Sequence, residues 1–162
     1  MAYKASAQFY DLFVLGKEEE QAFYQLLAQE VGSPALELGV GTGVFAFHLA
    51  EDGITVVGLE KSREMLQEAR KKLQKAPPEI AKRLLFIAGD MSDFSLDQKF
   101  RFIYVPSGSF QYLTTRKEQV GCLRKPIYTP KVPSCLTFGW ANQIQVAHGD
   151  GWKLSLFPKV TL

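Results

Sequence analysis

The chain has 162 residues, 46% apolar and 22% charged, which is the balance of one globular domain. That excludes a disordered or collagen-like chain, and no apolar run approaches the roughly 18–20 residues that a membrane-spanning helix needs. The net charge of +2, from 19 basic and 17 acidic residues, is too small and too mixed to announce a nucleic acid or an anionic membrane as partner. Residues 1–16 carry no basic start followed by a sustained apolar stretch. Cys122 and Cys135 form no CxxC pair, so a cytoplasmic protein with reduced thiols is expected.

In chain order, Lys17 to Val31 places Phe23, Leu26, Leu27 and Val31 at helical spacing, with acids in the first turn that suit the helix dipole. Ala35 to Leu38 starts a strand that breaks into glycines, and Val44 to Glu51 reads as a helix. Ile54 to Leu59 is β-branched and apolar almost throughout, as a strand covered on both faces should be. Ser62 can cap a helix reaching Lys75, with Met65, Leu66, Ala69 and Leu73 on one side, and Pro77-Pro78 stops it. Leu84 to Ala88 and Phe100 to Val105 are further strands, and Thr115 to Lys125 another helix. This alternation predicts an α/β fold with a mostly parallel, Rossmann-like open sheet flanked by helices. The Phe9, Phe13, Phe45 and Phe47 group is expected in the core.

Composition changes near Lys125. Residues 126–162 hold one acid, Asp150, three lysines and four of the eight prolines, which leaves 16 basic and 16 acidic residues in the first 125. Two units are therefore expected: a core over 1–125 and an atypical segment over 126–162 packed on the same domain. Within that segment Cys135 to Trp140 and Lys153 to Phe157 read as strands, with a turn at His148 to Gly151.

The segment from Ala35 to Gly43 (ALELGVGTG) is the most informative. A strand runs into Gly39, Gly41 and Gly43 and then directly into a helix. Glycines permit the sharp turn and close approach of a ligand, and the helix start offers N–H groups. A dinucleotide fingerprint is GxGxxG, but here the spacing is GxGxG and Val44 stands where the third glycine would be. Glu37 precedes the loop, where an acid suits a ligand ammonium group and a pyrophosphate site does not call for one. Glu60 ends the second strand 21 residues after Gly39, where an acid can accept from both ribose hydroxyls. Asp90 ends the third strand and can accept from an adenine amino group, with Met91 as an apolar contact.

Leu36 to Gly43 resembles motif I of the class I S-adenosylmethionine-dependent methyltransferases. Val57 to Leu66 (VGLEKSREML) resembles their ribose-binding motif, Ala88 to Phe94 (AGDMSDF) their adenine-binding motif, and Phe100 to Leu113 their fourth strand and following loop. Ala7 to Leu12 is similar to the N-terminal segment that often covers the cofactor. The resemblance spans about Ala5 to Lys125. It implies S-adenosylmethionine as cofactor, with Gly39, Gly41 and Gly43 along its methionine part and Glu37 near its ammonium. It further implies Glu60 on the ribose, Asp90 and Met91 on the adenine, Pro106 and Ser107 beside the sulfonium and acceptor, and Tyr10 closing over the site. The implied reaction is in-line methyl transfer to a small-molecule acceptor, with no nucleic acid and no metal. Tyr10, His48 and Tyr112 are candidates for a base, and no catalytic residue is assigned.

The resemblance stops near Lys125. The usual Pro-Gly turn is absent, and the residues that follow are too few for the fifth strand, helix and two strands that family members add. A truncated or altered C-terminal part is expected. The competing reading is an inactive cofactor-binding or scaffold protein that self-associates, as a homodimer, through an exposed sheet edge in this region. Simpler readings stand beside each residue: Glu60 and Asp90 as solvated loop acids or helix caps, Tyr10 as a packing residue, His48 as structural, and Arg70 to Lys75 as a solvated helix face.

Overall fold

The computed structural model describes residues 7–14 and 18–124, together with three later strands over 135–140, 143–148 and 151–156. Strands β1 (Ala35–Leu38), β2 (Val56–Glu60), β3 (Leu84–Ala88), β4 (Phe102–Val105), β5 (Cys135–Trp140), β6 (Gln143–His148) and β7 (Gly151–Leu156) form one sheet in the order β3-β2-β1-β4-β5-β6-β7. The strands from β3 across to β5 run parallel, and β6 and β7 are antiparallel to their neighbours. The helices are α1 (Tyr10–Val14), α2 (Glu18–Val31), α3 (Val44–Glu51), α4 (Arg63–Lys75), α5 (Pro78–Ala81) and α6 (Arg116–Arg124). Two 3-10 turns, Ala7–Phe9 and Ser109–Tyr112, complete the described elements.

The chain starts in the middle of the sheet, walks outward through β2 and β3, then returns to lay β4 on the other side of β1. The strand order reverses at β1, and ligands of open α/β sheets bind beyond the strand ends at such a point. Alternate residues of each strand face opposite sides. Val56, Phe102 and Tyr104 join Phe23, Tyr24, Ala28, Phe45, Leu49 and Leu66 from α2, α3 and α4 in one core. Leu36, Leu38, Val57, Leu59, Ile103 and Val105 join Leu113 and Cys122 in the other. Covering on both faces accounts for the nearly continuous apolar character of β1, β2 and β4.

Local signals set the helix starts. The Ser62 hydroxyl accepts from the Met65 N–H at 3.3 Å, so α4 begins where its cap predicts. Thr115 and Glu118 form a reciprocal capping box: Thr115 N–H donates to Glu118 Oε2 at 2.9 Å, and Glu118 N–H donates to Thr115 Oγ1 at 3.2 Å. After Pro77 the chain makes one more short helix, α5, with proline in its first turn, where no N–H is needed.

Several expectations need correction. Leu26 does not belong to the buried face of α2; it is 57% exposed, and Tyr24 is fully buried in its place. Tyr24 wins because its ring meets Phe45 edge-on at 5.7 Å and Tyr104 at 5.1 Å, giving α2 a large aromatic seat. Phe9 is 52% exposed and lies outside the core, whereas Phe45 is buried; the Phe13 side chain lies outside the described residues. Strand β6 carries no predicted counterpart, and the expected turn over 148–151 falls partly outside the described residues. The sheet does not stop at β4. Strand β5 pairs with it in parallel, Phe102 opposite Cys135. Among the described residues no helix is long and apolar enough to cross a membrane.

Candidate functional site

A cavity of about 550 Å³ opens beyond the ends of β1, β2 and β3. Of the residues singled out in the sequence, Tyr10, Gly39, Gly41, Glu60, Asp90 and Met91 line it together. Gly43, Glu37 and Pro106 do not face it.

The glycine loop has the backbone its residues permit. Gly39, Gly41 and Gly43 have φ values of 74°, 57° and 87°, a region that L side chains rarely adopt. A Cβ on Gly39 would stand 2.9 Å from the Ser109 Cβ, so the turn after β4 rests directly on the loop. Gly43 serves packing instead. It caps α3, and a Cβ there would meet Phe86 at 3.1 Å and Phe47 at 3.2 Å.

Glu60 ties the loop to the second strand. Its Oε2 accepts from the Gly41 N–H at 2.8 Å and its Oε1 from the Ser62 N–H at 2.7 Å. Each carboxylate oxygen keeps a lone pair for one more donor, which is what two adjacent hydroxyls require. Asp90 is built similarly: its Oδ1 accepts from the Ser92 N–H at 2.9 Å and the Ser92 hydroxyl at 2.7 Å, and its Oδ2 from Lys61 at 2.6 Å. Burial works against the Asp90 charge, but Lys61 and Ser92 outweigh it and hold the carboxyl below its ordinary value.

Glu37 lies behind the loop, only 1% exposed, and accepts a hydrogen bond from the Tyr104 hydroxyl at 2.7 Å. Burial pushes its carboxyl up to about 8; the Tyr104 bond opposes this, and the charges of Glu60 and Glu20 add to it. Pro106 is buried just past β4. The next residue, Ser107, has φ 57°, and its N–H donates to Glu20 Oε1 on α2 at 2.7 Å. Of the candidate bases, Tyr10 and Tyr112 line the cavity, whereas His48 faces away on α3 with Nδ1 3.4 Å from Glu51. The Tyr10 hydroxyl is pushed up by burial and by the charges of Tyr112, Glu60, Glu37 and Asp11, so it is a poor proton acceptor at neutral pH.

Among the lining residues that sequence reasoning gave no role are Lys61, Ser109 and Glu118. The spacing Thr-x-x-Glu at 115–118 was a legible cap that brings Glu118 to the rim. Nothing local announces that Lys61 reaches Asp90, 29 residues away.

A parallel sheet with a glycine loop at the end of its first strand and acids at the ends of the second and third defines a nucleoside-cofactor fold of the methyl-transferring type. Comparison with known proteins agrees. The sequence model of a methyltransferase domain family matches residues 35–125, more than half of the chain. The chain belongs to the class I S-adenosylmethionine-dependent methyltransferases. It is 33% identical over 120 residues to an uncharacterized methyltransferase of Geobacillus sp. (strain WCH70), covering 69% of this chain and 53% of the relative. It is 32% identical over 122 residues to the dTDP-3-amino-3,4,6-trideoxy-alpha-D-glucopyranose N,N-dimethyltransferase of Streptomyces venezuelae, covering 69% of this chain and 47% of the relative. The glycopeptide N-methyltransferase MtfA, crystallised with S-adenosyl-L-methionine, superposes with a TM-score of 0.66 at 29% identity, over 75% of this chain and 50% of that one. DesVI of Streptomyces venezuelae superposes with a TM-score of 0.65 at 26% identity, over 88% and 69%. The chain spans about half the length of the curated relatives it matches.

Proposed function

We propose that the chain binds S-adenosylmethionine in the cavity above β1–β3 and transfers its methyl group to a small-molecule acceptor. The observation that carries this is the convergence of Gly39, Gly41, Glu60, Asp90 and Met91, from three strand ends, on one cavity of about 550 Å³. The glycine loop fits the group because a side chain at Gly39 would collide with Ser109 and close the cradle. Glu60 would take the ribose hydroxyls on its remaining lone pairs, Asp90 the adenine amino group, and Met91 the ring face. Glu37 would act on the ammonium from behind the loop through a water, since it does not face the cavity, and by its charge only once it has lost its proton. Of the loop after β4, Ser109 and Tyr112, which line the cavity, would border the reacting end; Pro106 and Ser107 do not line it.

The cofactor supplies the electrophilic methyl carbon. The chain's own residues orient and exclude water. Tyr10 covers the loop side and Tyr112 stands at the mouth, and holding two reactants in line lowers the barrier by several kcal/mol. The N-methyltransferase names among the relatives support a nitrogen acceptor. An amine that reaches the site neutral needs no strong base, which suits a cavity in which the Tyr10 hydroxyl is pushed up by burial and holds its proton.

Calorimetric titration with S-adenosylmethionine and S-adenosylhomocysteine tests this reading, with NADH as control. Micromolar binding of the first two and none of NADH is expected. Glu60→Ala, which also frees the Gly41 N–H, should weaken binding at least tenfold. Tight NADH binding, or none by the folded chain to any of the three, would overturn the assignment.

A further inference from the structure

Helix α1 has five residues, too short to hold itself together. Its Leu12 is 64% exposed and the preceding Phe9 is 52% exposed, so these two apolar side chains do not anchor it. Yet it carries Tyr10, whose ring lies over the glycine loop: a Cβ on Gly41 would be 3.7 Å from Tyr10 Cε1. The neighbouring Asp11 makes two bonds that fix this arrangement. Its Oδ1 accepts from the Thr42 hydroxyl at 2.5 Å, and its Oδ2 from Lys72 Nζ at 2.7 Å. Thr42 belongs to the glycine loop and is 1% exposed, one of two polar residues among the described buried set. Lys72 belongs to α4, and its ammonium lies 6.0 Å from the Phe47 ring centroid on α3.

We infer that Asp11 is a positioning residue: bridging Thr42 and Lys72, it seats Tyr10 on the glycine loop and closes that side of the cavity. Its effect on the ligand rests on the cofactor reading above; the anchoring itself does not. The two bonds differ in weight. The Lys72 pair is solvated on both sides, with side-chain exposures of 34% and 49%, and salt screens it. The Thr42 hydroxyl has no water to turn to, so of the two bonds its bond to the charged carboxylate carries more of the anchoring.

The test uses the full chain in two measurements. Amide hydrogen exchange over residues 7–14, without ligand, reads the anchoring; the dissociation rate of S-adenosylhomocysteine reads the closure. Asp11→Ala should raise exchange over 7–14 at least tenfold while the amides of β1–β4 keep their protection, and should speed dissociation at least fivefold. Thr42→Val should reproduce most of both effects, Thr42→Ser should restore wild-type behaviour, and Lys72→Met should have less than half the effect. Unchanged exchange in both Asp11→Ala and Thr42→Val would overturn the anchoring. Raised exchange with unchanged dissociation would overturn the positioning role. If the wild-type chain binds no S-adenosylhomocysteine while exchange still depends on Asp11, the anchoring stands and the cofactor reading falls.

Discussion

Glu37 sits at the centre of the sheet with Tyr104 as its hydrogen-bond donor, and burial foremost keeps its proton on up to about pH 8. Between its ordinary value near 4.5 and 8, the folded chain holds a proton there that the unfolded chain has released. Stability attributable to this group is therefore complete below about pH 4.5 and is lost as pH rises through 8, by up to about 1.4 kcal/mol per pH unit. Glu37→Gln keeps an acceptor for Tyr104 and removes the titration. Relative to wild type, the variant should gain stability from pH 5.5 to pH 9, measured by urea unfolding; parallel curves for the two proteins would contradict the assignment. The same proton sets an expectation for binding. If the cofactor ammonium draws on an ionised Glu37, affinity should rise with pH toward 8 in wild type and stay flat in the variant.

At the scale of elements, the position of α6 depends on one residue. A Cβ on Gly121 would run into the Ser92 carbonyl oxygen, closer than any neighbour can accept. Gly121 lets α6 settle against the turn after β3, with Glu118 of the same helix at the cavity rim. Gly121→Ala should push the helix outward, costing about 1–3 kcal/mol and weakening S-adenosylhomocysteine binding more than fivefold, by thermal unfolding and calorimetry. Much at this scale was legible because its causes are local. The cap at Ser62, the β-branched run of β2 and the helix directly after Gly43 each lie within a few residues of what they determine. The face of α2 was not legible, because helical spacing allows a stripe through Leu26 or one through Tyr24. The choice is made by Phe102 and Tyr104, about 80 residues later in the chain. The site divides the same way. The loop glycines and the two strand-end acids could be found from spacing, while Glu60 bonding Gly41, Lys61 bonding Asp90 and Asp11 bonding Thr42 are made between distant segments.

At the scale of the molecule, the C-terminal strands change what the sheet exposes. β5 covers the open side of β4, and β6 and β7 extend the sheet beyond it. A chain ending at Arg124 would present the unpaired backbone of β4, flanked by the apolar side chains of Ile103 and Val105. Such a chain should associate in a concentration-dependent manner by light scattering, to a degree the full chain does not show; equal behaviour of the two would mean that β5 does not protect this edge.

The bonds that shape the cavity join residues far apart: Tyr104 to Glu37 across 67 positions, Lys72 to Asp11 across 61, Ser107 to Glu20 across 87. The cavity draws on residues from Tyr10 to Glu118, so a partly folded molecule has nowhere to bind. Ligand capture and global folding are then one linked equilibrium. A cofactor at a hundred times its dissociation constant would stabilise the native state by about 2.7 kcal/mol, a rise of about 5–10 °C in Tm for a chain of this size. Melting temperature thus becomes an acceptor-free assay: it ranks nucleoside ligands by their preference for the folded form, before any methylated product has been identified.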